Sequence, residues 1–136
     1  MDALVTWKGK MSFEGMQDGH TIAMDVPGDG RTTLGPKPKT LVLTALGGCT
    51  AVDVVSILEK MRVPLSGLDV HAEAELSGEH PKVFTSIHLT YSFKGTDLPL
   101  DKLQRAVSLS LDSYCGVSAM LAKGCPITHE IVVEAP

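Results

Sequence analysis

Aromatic residues make up only 4% of the 136-residue chain, so the stacking platforms that single-stranded nucleic acid requires are scarce. Basic clusters are missing too. Twelve Lys and Arg against sixteen Asp and Glu leave a net charge of −4, which argues against nucleic acid as a partner. The opening MDALVTWKGK lacks a charged-then-apolar export pattern, and the expected location is the cytoplasm. Three cysteines, an odd number at irregular spacing, do not form a disulfide framework; in a reducing compartment they are core fillers, a redox pair plus one, or ligands. Cys125 with His129 lacks the second ligand pair of a metal site. No metal and no cofactor are expected. Repeats, low-complexity tracts and linkers are also lacking, which leaves one domain spanning 1–136.

Against those absences stands one long apolar stretch, GPKPKTLVLTALGGCTAVDVVSILEKMRVP, from Gly35 to Pro64. Pro36 and Pro38 give a stiff approach, Gly47 and Gly48 are the only breakers within it, and Lys60 and Arg62 suit a helix C-terminus. The pattern predicts a helix from about Lys39 to Met61. Asp53, Ser56, Glu59 and Lys60 give its second half one polar face, while the first half is apolar nearly all round. Such a helix is expected to be buried. Roughly 20 apolar residues also suffice for a membrane span, but Thr44, Thr50, Asp53, Ser56 and Glu59 interrupt the run and no second hydrophobic segment exists. No membrane is expected.

Before this helix, Ala3–Trp7, Met11–Gly15 and Thr21–Val26 read as three antiparallel strands turned at Lys8-Gly9-Lys10 and Asp18-Gly19. After it, Leu68–Leu76 alternates Val70, Ala72, Ala74 and Leu76 against His71, Glu73 and Glu75. Lys82–Lys94 alternates likewise, Ile87, Leu89, Tyr91 and Phe93 against Ser86, His88, Thr90 and Ser92, as its antiparallel partner. His71 and His88 are read as solvent-facing. Leu100, Leu103, Val107 and Leu111 at helical spacing mark a second helix ending at Tyr114, with Asp97 as cap. Gly116–Lys123 is a short third helix and Ile127–Glu134 a last strand. The order β-β-β-α-β-β-α-α-β implies an α+β fold, with helices on one face of antiparallel sheet. An apolar helix in so short a chain implies a homodimer.

A glycine in a helix interior costs about 1 kcal/mol against alanine, so Gly47 and Gly48 ask for a reason beside Cys49, such as close approach of a backbone or a ligand. Cys115 falls at the expected start of the third helix, where unpaired N–H groups favour a thiolate. Asp53, four residues after Cys49 on the same helix face, would raise that thiol's pKa. Cys49 and Cys115 lie 66 residues apart. Only the fold could pair them.

The segments PxPxxLxLxALGGCTAxDVVSIL, Tyr-Cys-Gly-Val-Ser-Ala-Met-Leu and the opening VTWKGKMSFEG with GHTIAMD together resemble the OsmC/Ohr family from end to end. The resemblance implies an intertwined homodimer built on the long central helix, with active sites between chains. It further implies reduction of organic hydroperoxides by a cysteine pair. Cys49 matches the peroxidatic cysteine and Cys115, with Ser118 three residues on, matches the resolving cysteine of a Cys-x-x-Ser motif. Cys125 matches neither. The implied partners are a small hydrophobic peroxide and a dithiol reductant protein that returns the disulfide to thiols.

Two positions depart from the peroxidase branches. Lys39 stands where they carry a glutamate ten residues before the first cysteine, and no arginine precedes Arg31. At 1.5 Å rise per residue, Lys39 does not reach Cys49 along its own helix, so a thiol-activating cation has to come from a loop or the other chain. Gly48, Asp53 and Ser118 complete the expected pocket. The alternative is a non-enzymatic protein that binds a hydrophobic small molecule in the dimer cleft, its cysteines redox-sensing. A scaffold without a pocket is the third reading.

Overall fold

The structure, a computed structural model, describes residues 1–136. Strands β1 (Leu4–Gly9), β2 (Ser12–Gln17) and β3 (His20–Met24) precede helix α1 (Pro38–Lys60). Then come β4 (Gly67–Leu76), β5 (Phe84–Lys94), α2 (Leu100–Leu109), a π-helical turn (Ser110–Tyr114), α3 (Gly116–Ala122) and β6 (Ile127–Glu134). The fold is α+β, with two three-stranded sheets. The chain divides into two compact units, Met1–Val42 and Leu43–Pro136.

In the first unit the strands pair antiparallel in the order β1-β2-β3. Asp18 and Gly19 both take positive φ, 50° and 74°, the backbone of a tight hairpin turn that glycine and aspartate tolerate best. Beyond β3 the loop folds back so closely that a Cβ on Gly35 would stand 2.3 Å from the Ala23 carbonyl oxygen. Only glycine fits there. The loop is tied down by Asp25, which is 1% exposed. Its carboxylate accepts from Arg31 Nη1 at 2.8 Å and Nη2 at 2.5 Å, from Ser12 Oγ at 2.9 Å, and from the backbone N–H groups of Val26 and Leu34.

In the second unit the sheet order is β4-β5-β6, with β5 central. From Ile87 onward every second residue of β5, namely Ile87, Leu89, Tyr91 and Phe93, is buried, as its alternation predicts, while Thr85 at the strand's start is exposed. They form one core with Leu46, Val54 and Leu58 of α1 and Leu103, Ala106 and Val107 of α2. The other face of the sheet is polar: His88 Nδ1 lies 2.7 Å from Thr128 Oγ1, and its Nε2 lies 3.2 Å from Glu130. Thus His88 is bonded across β5 and β6, while His71 is exposed.

Three expectations are corrected. β6 runs parallel to β5, because α2, the π turn and α3 form the crossover that a parallel partner needs; the second sheet is mixed. Asp97 caps nothing: it sits in a turn at φ 49°, and Pro99 precedes α2 with no side-chain cap. And α1 is buried along a stripe, Leu46, Thr50, Val54 and Leu58 at four-residue steps, joined by Gly47, while Val52 and Val55 stay 70% and 40% exposed. One protomer covers one side of the helix. By length and composition α1 is apolar enough to cross a membrane, and the buried stripe is what it presents to the core.

The Asp25 cluster sets an acid limit. The Arg31 guanidinium, then the Leu34 N–H, hold its carboxyl well below the usual range. A folded pKa below the unfolded value of about 3.9 contributes stability above that pH, lost as pH falls through the folded value. Asp25→Asn should therefore lower the thermal midpoint by several degrees at pH 7. The gap to the parent should narrow below about pH 4, as thermal scans across pH 2.5 to 7 would show.

Candidate active site

Cys49 sits midway along α1, half-buried, and Cys115 lies between the π turn and α3, 3% exposed. Both are free thiols. The Cys115 side chain is close enough to Cys49 to be affected by it through a hydrogen bond and through charge. Residues 66 apart in sequence are thus neighbours.

Cys115 is held at three points. Its N–H donates to the Ser110 carbonyl at 2.7 Å, the i to i−5 bond that closes the π turn. Its Sγ accepts from the Ser118 N–H at 3.4 Å, and its carbonyl accepts from Ser118 Oγ at 3.0 Å. Ser118 accordingly fixes the cysteine from both sides. The expected thiolate at this helix start is corrected by the balance of effects: burial pushes the Cys115 thiol up, ahead of the opposing Ser118 N–H, and the neighbouring Cys49 pushes it further. A single N–H does not replace water around a buried sulfur.

Asp53 is bonded to the π turn. Its Oδ2 accepts from Ser110 Oγ at 2.9 Å. Ser110 Oγ also lies 2.7 Å from Thr50 Oγ1, which lies 2.8 Å from the Tyr91 hydroxyl. Each hydroxyl has one hydrogen. Ser110 gives its own to the carboxylate, so Thr50 donates to Ser110 and Tyr91 donates to Thr50. The chain of three hydroxyls points one way, toward Asp53, and joins β5, α1 and the π turn. Thr50, Tyr91 and Ser110 are each 0% exposed.

This cluster escaped the sequence reading. Its one signal was Tyr91 on the apolar side of an alternating strand, since a buried phenol needs a hydrogen-bond partner. Gly48 is exposed, and a Cβ there would meet nothing within 4 Å; one on Gly47 would stand 3.7 Å from the Val70 carbonyl, an ordinary contact. Gly48 leaves the helix surface beside Cys49 open, while Gly47 packs toward β4. Lys39 is exposed in the first turn of α1. Arg31 is bound to Asp25 within the first unit. Cys125 is buried, its Sγ 3.9 Å from the Leu121 carbonyl, and shares a cavity of about 340 Å³ with Ser118 and His129.

Burial pushes the Tyr91 phenol up to about 12, with the Thr50 bond opposing and the nearby Cys115 and Asp53 adding to the rise. Of the two tyrosines, one should ionise only near pH 12. That step should vanish in Tyr91→Phe, read by ultraviolet titration in pH jumps faster than alkaline unfolding. The same variant, which leaves Thr50 without its donor, should lose about 1 kcal/mol in urea unfolding.

Residues 28–130 match the family described as OsmC-like protein. Protein YhfA of Escherichia coli strain K12 is 40% identical over 136 residues, with 99% of each chain covered. A hypothetical protein from Aquifex aeolicus VF5 has a solved structure similar at TM-score 0.83 and 25% identity, over 98% of this chain and 96% of that one. The organic hydroperoxide resistance protein OhrB of Bacillus subtilis, at 18% identity and TM-score 0.67 over 96% of this chain and 98% of its own, shares the fold. With its α+β architecture matching those structures and its sequence matching the family over most of its length, the chain belongs to the OsmC-like family.

Proposed function

We propose that the protein is a thiol-dependent reductase of organic hydroperoxides that protects against oxidative stress, with Cys49 peroxidatic and Cys115 resolving. The observation that carries this reading is the adjacency of two free thiols in unlike surroundings, Cys49 half-buried next to the open side of Gly48 and Cys115 buried. The Cys49 thiolate attacks the terminal peroxide oxygen; an S–O bond forms, the O–O bond breaks, and an alcohol leaves after taking a proton. Cys115 sulfur then attacks the sulfenic acid, forming the disulfide and releasing water. A dithiol reductant protein restores both thiols by exchange. Burial suits Cys115 to that second role, since a protonated, shielded thiol does not compete for peroxide.

The working unit we assign is a cytoplasmic homodimer. Val52 and Val55 on α1 supply apolar surface for a second copy. Lys39, exposed in its own chain, is the cation we assign to activation of the partner copy's peroxidatic thiol.

A second reading has an observation of its own. A groove of about 490 Å³ runs along the C-terminal half of α1, lined by Val52, Ile57, Met61, Leu109 and Tyr114 with Asp53, Ser56 and Lys60 at its polar points. It is a shape that suits a hydrophobic small molecule. In that case the protein binds such a ligand without turnover and its thiols serve only as redox sensors.

Anaerobic stopped-flow oxidation of the reduced protein separates the two. With cumene hydroperoxide the parent should lose two thiols rapidly, and far faster than with hydrogen peroxide. Cys49→Ser should lose none rapidly, and Cys115→Ser should stop at a sulfenic acid that a dimedone probe traps. A parent that reacts with either peroxide no faster than free cysteine would overturn the peroxidase reading and leave the groove as the site to probe.

A further inference from the structure

Ser110 stands where three elements meet. Its side chain bonds Asp53 and Thr50 of α1, at 2.9 and 2.7 Å, while its carbonyl receives the Cys115 N–H at 2.7 Å. Thr50 directly follows Cys49. One residue therefore connects two α1 side chains, one of them next in sequence to the first thiol, to the backbone of the second, through two hydrogen bonds on one side and one on the other.

The π turn makes this connection geometrically available. A π-helical turn accommodates one residue more than an α turn, is rare, and is frequently found at functional sites. At 3.6 residues per turn, an extra residue rotates the downstream chain by about 100° around the axis. In this protein the i to i−5 bond ends on Cys115. Had the turn remained α-helical, Ser110 and Cys115 could not both keep their present orientations, one toward α1 and the other toward Cys49. The polar chain is buried as well, so its bonds are not diluted by competing water, and losing one leaves an orphaned hydroxyl in the core.

We propose that Ser110, anchored by Thr50 and Asp53, is the positioning residue that holds Cys115 in bonding register with Cys49. This deepens the redox-pair reading and rests on it. Ser110 touches neither peroxide nor sulfur; it acts by keeping the second thiol at the right place before the disulfide forms. Held groups react as though at very high local concentration, and that concentration is what the Ser110 link sustains.

The quantity that reports this role is the effective molarity of the Cys49–Cys115 disulfide in glutathione buffers. In that equilibrium the protein dithiol reduces glutathione disulfide, releasing two glutathione thiols and forming one protein disulfide, so electrons and protons balance without peroxide. Cys125→Ser serves as the parent background throughout, so that only one pair can form. Ser110→Ala and Thr50→Val, the second nearly isosteric and lacking only the hydroxyl, should each lower the effective molarity at least tenfold. Thr50→Ser, which keeps the hydroxyl, should stay within threefold of the parent. Leu103→Val, a core control in α2 that makes none of the cluster's hydrogen bonds, should lower the thermal midpoint while leaving the effective molarity within threefold. That contrast separates positioning from general loss of stability. If Ser110→Ala and Thr50→Val both stay within threefold of a parent that forms the disulfide readily, the positioning role is wrong and the redox pair stands. If the parent forms no such disulfide at any glutathione ratio, both are wrong.

Discussion

A hydroxyl buried in an apolar helix must find a hydrogen-bond partner, and Thr50 of α1 lies within bonding distance of two, Tyr91 and Ser110. Leaving such a group unpaired costs about 1–3 kcal/mol, a large share of the roughly 5–15 kcal/mol by which a domain is stable. The apolar side chains on the same stripe, Leu46, Val54 and Leu58, are far less selective. Aliphatic packing accepts several helix positions at modest cost, whereas hydroxyls 2.7 to 2.8 Å apart accept one. The polar chain thus fixes the turn and translation of α1 against β5 and the π turn. Hydrophobic burial supplies the driving force and the hydroxyls supply the register.

The first unit uses the same logic with charge. Its short hairpins leave Leu4, Val5, Trp7 and Met16 more than half exposed, so apolar burial contributes little to holding the return loop. Asp25 holds it instead. A buried carboxylate is tolerable only when paired and hydrogen-bonded, and here Arg31, Ser12, Val26 and Leu34 satisfy it together. The geometry of residues 25–36 derives from that requirement, with Gly35 giving way where the chain passes the Ala23 carbonyl.

Much of this was legible in the sequence wherever a local rule governs. Asp18-Gly19 announced its turn, strict alternation announced the buried face of β5, and the prolines bracketed α1. Elements whose form depends on distant partners were not legible. Ile127–Glu134 reads as a strand in either direction, and only the crossover through α2 and α3 makes it parallel. The all-round apolar character of α1 says how much surface seeks cover, not that one protomer covers a single stripe of it. At the site, family resemblance indicated Cys49, Cys115 and Ser118, but nothing in Ser-Leu-Asp-Ser-Tyr marks a π turn, and Ser110 looks like any polar residue beside a helical apolar stripe. The helix-start argument for Cys115 failed because it weighed a dipole without the desolvation that burial imposes.

The direction of β6 bears on how the chain folds. β5 occupies the middle of its sheet, and one of its two neighbours, β6, is brought to it only by the crossover through α2, the π turn and α3. Until that crossover forms, the β4–β5 hairpin has a raw edge, its outward N–H and C=O groups open to other chains. Undocking β6 would leave most of the core residues in place and still expose a pairing edge, so the crossover guards against edge-to-edge aggregation as well as building the sheet.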